Sequence, residues 1–162
     1  MRDVIKLLLD DHHKIEEAIS KTKTLMALPP EKSFQEINTN LTFFKNFTFG
    51  EHHRRENEIL YMWMTKQNPN SDTSVIDRIK NEHCQLEELA GKISKAINSH
   101  LKKTPDTSVV TILSDLHDFI LLYKEHMEKE EKFIFMIAEG LKLSQKEKEN
   151  MLKKMQQPLK GI

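Results

Sequence analysis

The sequence predicts an all-α protein, an antiparallel up-down-up-down four-helix bundle with a short C-terminal fifth helix. Apolar residues recur at three-to-four spacing in four long stretches, which is the period of one helix face. Short polar or Pro-containing breaks separate the stretches, and short connections favour antiparallel neighbours. The chain also repeats one pair of helical motifs. We therefore expect one closed bundle over residues 1–140, with residues 141–162 packing on it.

The first two helices are predicted from their breaks and caps. The first spans about residues 2–26 and ends before Pro29-Pro30. The second is expected to begin at Ser33, because Ser33 and Glu36 have the spacing of a capping box, and to reach about residue 66. Residues 68–72, Asn-Pro-Asn-Ser-Asp, form a predicted turn.

The third and fourth helices follow the same apolar period. The third is predicted over about residues 74–103 and the fourth over about residues 107–138, separated by a Thr-Pro-Asp break. In the fourth helix we expect Phe133 or Ile134, and Ile137, to face inward.

A fifth, shorter helix is predicted at the C-terminal end. Ser144 and Glu147 have the spacing of a second capping box, which opens a helix to about Met155. We expect this helix to pack on the outside of the bundle.

The internal repeat carries four histidine motifs. Each copy pairs an acid-His-x-x-aliphatic segment with a His-x-x-x-Glu segment. In His-x-x-x-Glu the two side chains share one helix face, so they can hold one metal ion or bridge to its neighbour. The four segments are Asp11-His12-x-x-Ile15, His52-x-x-x-Glu56, Glu82-His83-x-x-Leu86 and His126-x-x-x-Glu130.

The four motifs are expected near one level of the bundle. At 1.5 Å per residue, His83 and His126 both stand about 30 Å from the turn that joins their helices. His12 and His52 differ by about one turn, roughly 7 Å, which we attribute to uncertain helix ends near Pro29. Two facing buried carboxylates would repel each other, whereas two divalent cations would remove the penalty. Nitrogen and oxygen ligands without thiolate suit iron, manganese or zinc.

Two further histidines lie next to predicted ligands. His13 and His53 each follow one by a single residue, about 100° of helical rotation. We expect them behind the ligands or at the rim of the site, unless the helix register shifts.

The composition excludes several classes of protein. Lys plus Arg and Asp plus Glu number 25 each, so the electrostatic footprint of a nucleic-acid binder is missing. The single cysteine, Cys84, excludes an internal disulfide and fits a reducing compartment. The N-terminus has no signal-peptide pattern, and no apolar run approaches the roughly 20 residues of a membrane span. We therefore expect a cytoplasmic protein without nucleic-acid or membrane partners.

On these four motifs the chain resembles the hemerythrin-like family, also called the HHE cation-binding domain, over about residues 3–140. The resemblance implies a non-haem di-iron centre inside a four-helix bundle, with an oxo or hydroxo bridge. It assigns His12 and His52 to one iron, His83 and His126 to the other, and Glu56 and Glu130 between them. The ferritin-like alternative uses Glu-x-x-His, which this sequence lacks.

The chain departs from the family pattern at positions that bear on function. Oxygen-carrying members have an extra histidine four residues after the one equivalent to His83, and Glu87 stands there in this chain. Members often have Pro where this chain has Met62 and Met136, so these helices are expected to continue. Both irons would then keep an open coordination position, unless Glu16 or Glu87 fills one.

The predicted function is binding or sensing of O2, or of a related small oxidant such as NO or peroxide, at this centre. Whether the protein is also an enzyme stays open. One alternative is a role in nitrosative stress or in repair of iron-sulfur clusters. The other is an iron- or oxygen-responsive interaction module, with the fifth helix as its docking surface.

Overall fold

The computed structural model describes residues 1–67 and 73–157, and every regular element within them is a helix. The predicted turn at residues 68–72 lies outside the described residues. Five helical stretches follow one another: α1 (Arg2–Met26), α2 (residues 30–67), α3 (Ser74–Leu101), α4 (residues 109–140) and α5 (Gln145–Gln156). The all-helical prediction is therefore confirmed for this part of the chain.

Two of the long helices contain wide π-helical turns. In α2 these turns cover Phe44–His52 and Arg55–Tyr61, and in α4 they cover Glu130–Phe135. Such i→i+5 turns are rare and frequently mark functional sites. Both helices then return to α geometry, over Met62–Gln67 and Met136–Gly140. They continue past the two methionines, as expected where no proline interrupts them.

Successive long helices pack against one another along their lengths. Between α1 and α2, and again between α3 and α4, the contacting residue numbers rise in one helix and fall in the other. The pairs are Asn40 with Thr22, Arg55 with Asp11, Lys92 with Asp115, and Lys129 with Glu82.

The apolar core is interrupted at the same level in all four long helices. One hydrophobic cluster contains Ile15, Phe44, Leu86 and Phe119, and the other contains Leu8, Leu60, Ile79 and Ile134. Between them along each helix lie buried polar residues. These are Asp11 and His12 in α1, His52, His53 and Glu56 in α2, Glu82 and His83 in α3, and His126 and Glu130 in α4. A buried polar layer of this size requires partners for its charges.

Helix α5 lies against α1 and α2. Its capping box is confirmed, because Ser144 Oγ accepts from the Glu147 amide while the Glu147 side chain accepts from the Ser144 amide. Met151 and Met155 are buried in the second hydrophobic cluster. Arg55 Nε also donates to the Met155 carbonyl at 2.9 Å.

The predicted capping box at Ser33 is wrong. Helix α2 begins three residues earlier, with Pro29 at the N-cap and Pro30 at the first helical position. Proline suits that position because its fixed φ matches the helix and its missing N–H would have no helical partner there. Ser33 is inside the helix, and its hydroxyl donates to the Pro29 carbonyl at 3.1 Å.

The prediction that Ile137 faces inward is also wrong. Ile137 is 52% exposed, whereas Ile134 and Ala138 are fully buried. Of the alternatives Phe133 and Ile134, the structure places Ile134 inside and leaves Phe133 exposed. The apolar residues buried after Glu130 are Ile134, Phe135 and Ala138, and the π turn over Glu130–Phe135 holds an extra residue that rotates Ile137 away from their face.

In the described part of the chain, no helix combines the length and the apolar character of a transmembrane span.

Candidate metal centre

The six predicted ligands are buried and meet in the polar layer. None is more than 4% exposed. The rings of His12 and His52 lie 5.0 Å apart between centroids, and those of His83 and His126 lie 4.7 Å apart. The expected one-turn mismatch between His12 and His52 is thus absent. Uncertain helix ends do not account for it, because the earlier start of α2 would increase the mismatch. The π turns over Phe44–His52 hold an additional residue, which offsets part of that difference.

The two glutamates lie between the histidines. Glu130 Oε2 is 3.3 Å from His12 Nε2, and Glu130 Oε1 is 3.4 Å from the Nε2 atoms of both His83 and His126. Glu56 Oε2 lies 3.4 Å from His52 Nε2 and 3.5 Å from His83 Nε2. Each carboxylate therefore reaches histidines from both copies of the repeat, the arrangement that a bridging carboxylate needs.

The side chains form two groups that could each hold a metal ion. The first contains His12, His52, Glu56 and Glu130, and the second contains His53, His83 and His126. Within each group the potential ligand atoms lie within 4.8 Å of one another. Nitrogen and oxygen donors without sulfur suit divalent first-row metals.

Unpaired polar atoms inside the layer show that cations fit there. Both carboxylate oxygens of Glu56 lack a hydrogen-bond partner among the described residues, as do Glu130 Oε2 and the Nε2 atoms of His12 and His126. A buried carboxylate without a partner costs several kcal/mol. Ions coordinated by these atoms would remove that cost.

The opposite ring nitrogens of two histidines have carboxylate partners. Glu131 Oε1 lies 2.7 Å from His12 Nδ1, and Glu82 Oε2 lies 3.1 Å from His126 Nδ1. A carboxylate that accepts from Nδ1–H leaves the Nε2 lone pair free, which is the usual arrangement of a metal-binding histidine. The orientation of His12 and His126 therefore presents Nε2 to the centre of the layer.

The two glutamates differ in protonation when no metal is bound. Burial, followed by the negative charge of Glu130, raises the pKa of Glu56 well above its usual range. Burial opposes ionisation of Glu130 as well, but His126, His12 and His83 outweigh it and hold the pKa of Glu130 well below its usual range. Burial likewise opposes a charge on His12, but Glu130 and Glu131 outweigh it and raise the pKa of His12 to about 9. Without metal the layer therefore stores protons on Glu56 and His12.

His53 lies in the second group, beside the predicted ligands His83 and His126. It is 4% exposed, and its ring stacks on that of His83 with 3.6 Å between centroids. Its Nε2 atom is 3.1 Å from the Tyr123 hydroxyl. The prediction placed it behind the ligands or at the rim, from an ideal rotation of 100° per residue. The π turns on both sides bring His52 and His53 inward together, a register shift that the adjacent pair of histidines alone does not reveal.

The remaining candidates lie outside both groups. The side chain of His13 is 75% exposed and stands 3.6 Å from Glu16, which is itself 59% exposed. Glu87 is exposed on the outer side of α3. Neither Glu16 nor Glu87 is among the residues that could hold a metal.

A cavity of about 340 Å³ opens between α2 and α3. Its lining includes Phe49, four residues before His53, and Glu87, four residues after His83. The rings of Phe49 and His53 lie 5.4 Å apart between centroids. The cavity thus approaches the stacked histidines from one helical turn away on both helices.

These features define a helical domain whose buried His and Glu cluster can hold metal ions. Comparison with known families matches residues 3–138 to the hemerythrin HHE cation binding domain. The chain belongs to this family, and the resemblance inferred from its motifs is confirmed. Comparisons with curated proteins and with solved structures give no significant match.

Proposed function

We propose that the protein is a non-haem di-iron protein that binds or senses O2 or a related small oxidant, NO or peroxide. The observation that carries this proposal is the set of unpaired atoms directed at one another in the buried layer. We also infer that the four long helices run up-down-up-down. This arrangement places the four histidine motifs, one from each helix, at the level of the polar layer.

The two metal-capable groups indicate which residues would hold each ion. His12 and His52 would bind the first ion, and His83, His126 and the additional His53 would bind the second. Glu56 and Glu130 would lie between the ions and offset their charge. When bound, ferrous ions supply electrons and an open coordination position for a small oxidant.

Residues around the centre would orient the ligands and exclude water. The Tyr61 hydroxyl donates to Glu130 Oε1 and fixes that carboxylate. Phe135 stacks on His12 with 5.5 Å between centroids, and Tyr61 stacks on His83 with 6.4 Å. This apolar surround, together with Phe44 and Phe119 in the adjoining cluster, keeps the site dry. A small uncharged oxidant can cross such a surround more readily than an ion.

The cavity beside Phe49 offers a route toward the site for such a molecule. Its lining combines the apolar residues Leu41 and Ala90 with the charged residues Lys45 and Glu87. A ligand entering there would have to pass the ring of Phe49 to reach His53. We expect Phe49 to influence the rate of entry rather than the affinity.

Anaerobic loading of the metal-free protein with Fe²⁺ tests the proposal. We expect two iron ions per chain by elemental analysis and a new visible absorption band on exposure to O2, NO or peroxide. The variant His12→Ala should lose iron, whereas His13→Ala, at the adjacent exposed position, should retain it. Two bound irons with no spectral response to any of the three oxidants would refute the oxidant function and leave only metal binding. Consumption of peroxide, measured in the same samples, would show whether the protein is an enzyme.

A further inference from the structure

In the four predicted histidine ligands, the ring nitrogen that points away from the centre has different partners in the two copies of the repeat. His12 aligns with His83 and His52 aligns with His126 in the two copies of the repeat. Each of these histidines directs Nε2 toward a glutamate of the centre, which leaves Nδ1 for a residue outside the predicted ligand set. The identity of that residue can be compared between the two copies.

In the first copy, Asp11 faces the outward nitrogen of His52. Asp11 Oδ2 lies 3.6 Å from His52 Nδ1, just beyond hydrogen-bond distance. The Asp11 carboxylate is 2% exposed and is held by Arg55 and by Lys14. Arg55 follows His52 by three residues, so one turn of α2 carries both the ligand and the group that fixes its partner.

The second copy repeats this arrangement with different residues. Glu82, which aligns with Asp11, accepts from His126 Nδ1 at 3.1 Å. Lys129 follows His126 by three residues and donates to Glu82 Oε1 at 2.7 Å. The same roles recur at equivalent positions, which indicates a conserved geometry within the chain rather than two accidental contacts.

The other two histidines break the symmetry. Glu131, the residue after Glu130, lies 2.7 Å from His12 Nδ1. The equivalent residue after Glu56 is Asn57, which would face His83. Both His83 Nδ1 and Asn57 Oδ1 are buried and have no hydrogen-bond partner in the described part of the chain. A donor and an acceptor left unpaired at positions that are paired in the other copy are best satisfied by each other.

Ring stacking supports this equivalence independently. His12 stacks on Phe135, and His83 stacks on Tyr61, which is the residue aligned with Phe135. The interplanar angles are 30° and 16°. His83 therefore stands against its neighbouring helix in nearly the orientation that His12 adopts.

We propose that four side chains outside the ligand set each hold the outward nitrogen of one histidine: Asp11 for His52, Glu82 for His126, Glu131 for His12 and Asn57 for His83. Because Asn57 supplies a neutral amide where the other copy supplies a carboxylate, His83 is a weaker metal ligand than His12. This inference rests on the proposed metal centre and adds to it an inequality between two equivalent ligands.

The physical reason is the effect of the acceptor on ligand basicity. A carboxylate that accepts from Nδ1–H makes the imidazole a stronger donor through Nε2, and an amide oxygen does so less. Loss of such an outer partner typically costs about 10-fold to 100-fold in metal affinity. His12 faces the Glu131 carboxylate, whereas His83 would face the neutral amide of Asn57.

Titration of the metal-free protein with Co²⁺, in competition with a chelator, tests the inequality without any oxidant. We expect two bound ions in the unmodified chain. Asn57→Glu should strengthen one of the two binding constants by about 10-fold, and Glu131→Gln should weaken the other by about 10-fold to 100-fold. Glu125→Gln, which removes an exposed carboxylate next to His126, is the matched control and should change either constant less than twofold.

Nitrogen-15 NMR of the histidine side chains in the metal-free protein gives a second readout. Asn57→Ala should shift the Nδ1 resonance of His83 and leave that of His12 in place, whereas Glu131→Ala should do the reverse. Unchanged constants in Asn57→Glu, with an unchanged His83 resonance in Asn57→Ala, would overturn the assignment of Asn57. If the unmodified chain still bound two Co²⁺ ions, that outcome would refute the role of Asn57 but not the proposed metal centre. If the unmodified chain bound no Co²⁺, both the role of Asn57 and the metal centre would be refuted.

Discussion

Glu56 is a fully buried carboxylic acid in the polar layer. Neither of its oxygens has a hydrogen-bond partner in the described residues. Its raised pKa, which follows from burial and from the charge of Glu130, shows that without metal the group avoids ionisation by keeping its proton. Glu56 therefore contributes little to the stability of the metal-free protein, and its proposed role is to bind a cation.

Glu56→Gln should therefore separate metal binding from stability. The substitution keeps the shape of the side chain and the neutral form that Glu56 already adopts without metal. We expect metal affinity to fall by 100-fold or more, while the free energy of unfolding of the metal-free protein changes by less than about 1 kcal/mol. Metal competition titrations and urea unfolding measure the two effects. Glu58→Gln, at the exposed position two residues on, is the control and should alter neither; a large loss of metal-free stability in Glu56→Gln would contradict this account.

Metal loading should release protons. His12 has a pKa raised to about 9 in the metal-free protein, so it holds a proton at neutral pH, and burial raises the pKa of Glu56 well above its usual range. Metal ligands must be deprotonated, and affinity should therefore increase as pH rises toward 9, by about tenfold per unit for each proton displaced. Calorimetry in buffers of different ionisation enthalpy counts these protons. Binding at pH 7 without proton release would show that the two groups are not ligands.

At the scale of elements, the π turns decide which side chains face the site. They place both His52 and His53 inside the bundle and turn Ile137 outward behind Glu130. In an uninterrupted α-helix, these side chains would face other directions relative to the core. The wide turns in α2 and α4 occur at the residues that would bind metal, which agrees with the association of π turns with functional sites.

Two alanine substitutions in α4 test this register. Ile134→Ala should destabilise the protein by about 2 to 5 kcal/mol because it leaves a cavity at a fully buried position. Ile137→Ala, three residues on, removes the same atoms from an exposed position and should cost less than about 0.5 kcal/mol. Denaturant unfolding of both variants in the same metal state gives the comparison. Equal losses would indicate an α-helical register after Glu130.

For the whole molecule, the polar layer lies between two hydrophobic clusters that draw on all four long helices. Each cluster can stabilise its own half of the bundle, but the layer between them adds cost until its charges are paired. Metal ions would therefore connect the two halves of the core. Removal of these ions should therefore destabilise the bundle more than removal of an ion from a surface site would.

Removal of metal should lower the melting temperature. At free metal one hundred times Kd, one site contributes about 2.7 kcal/mol, which corresponds to roughly 5 to 11 °C for a chain of this size. Differential scanning calorimetry of loaded and chelator-treated protein measures the shift. His126→Ala, which removes a predicted ligand of one of the two ions, serves as the control because chelator should lower its melting temperature by less. A shift of equal size in that variant would place the stabilising metal elsewhere.

The sequence by itself determined the helices, the repeat and the family, because helical period, breakers and ligand spacing are local properties of the chain. It also identified the six side chains that the structure brings together in one buried layer, although their role as ligands stays a prediction. Only the tertiary structure decided the burial of His53, the exposure of Ile137 and the exclusion of Glu16 and Glu87. The physical reason is that these outcomes depend on how the helices pack against one another, and no local pattern in the sequence records that packing.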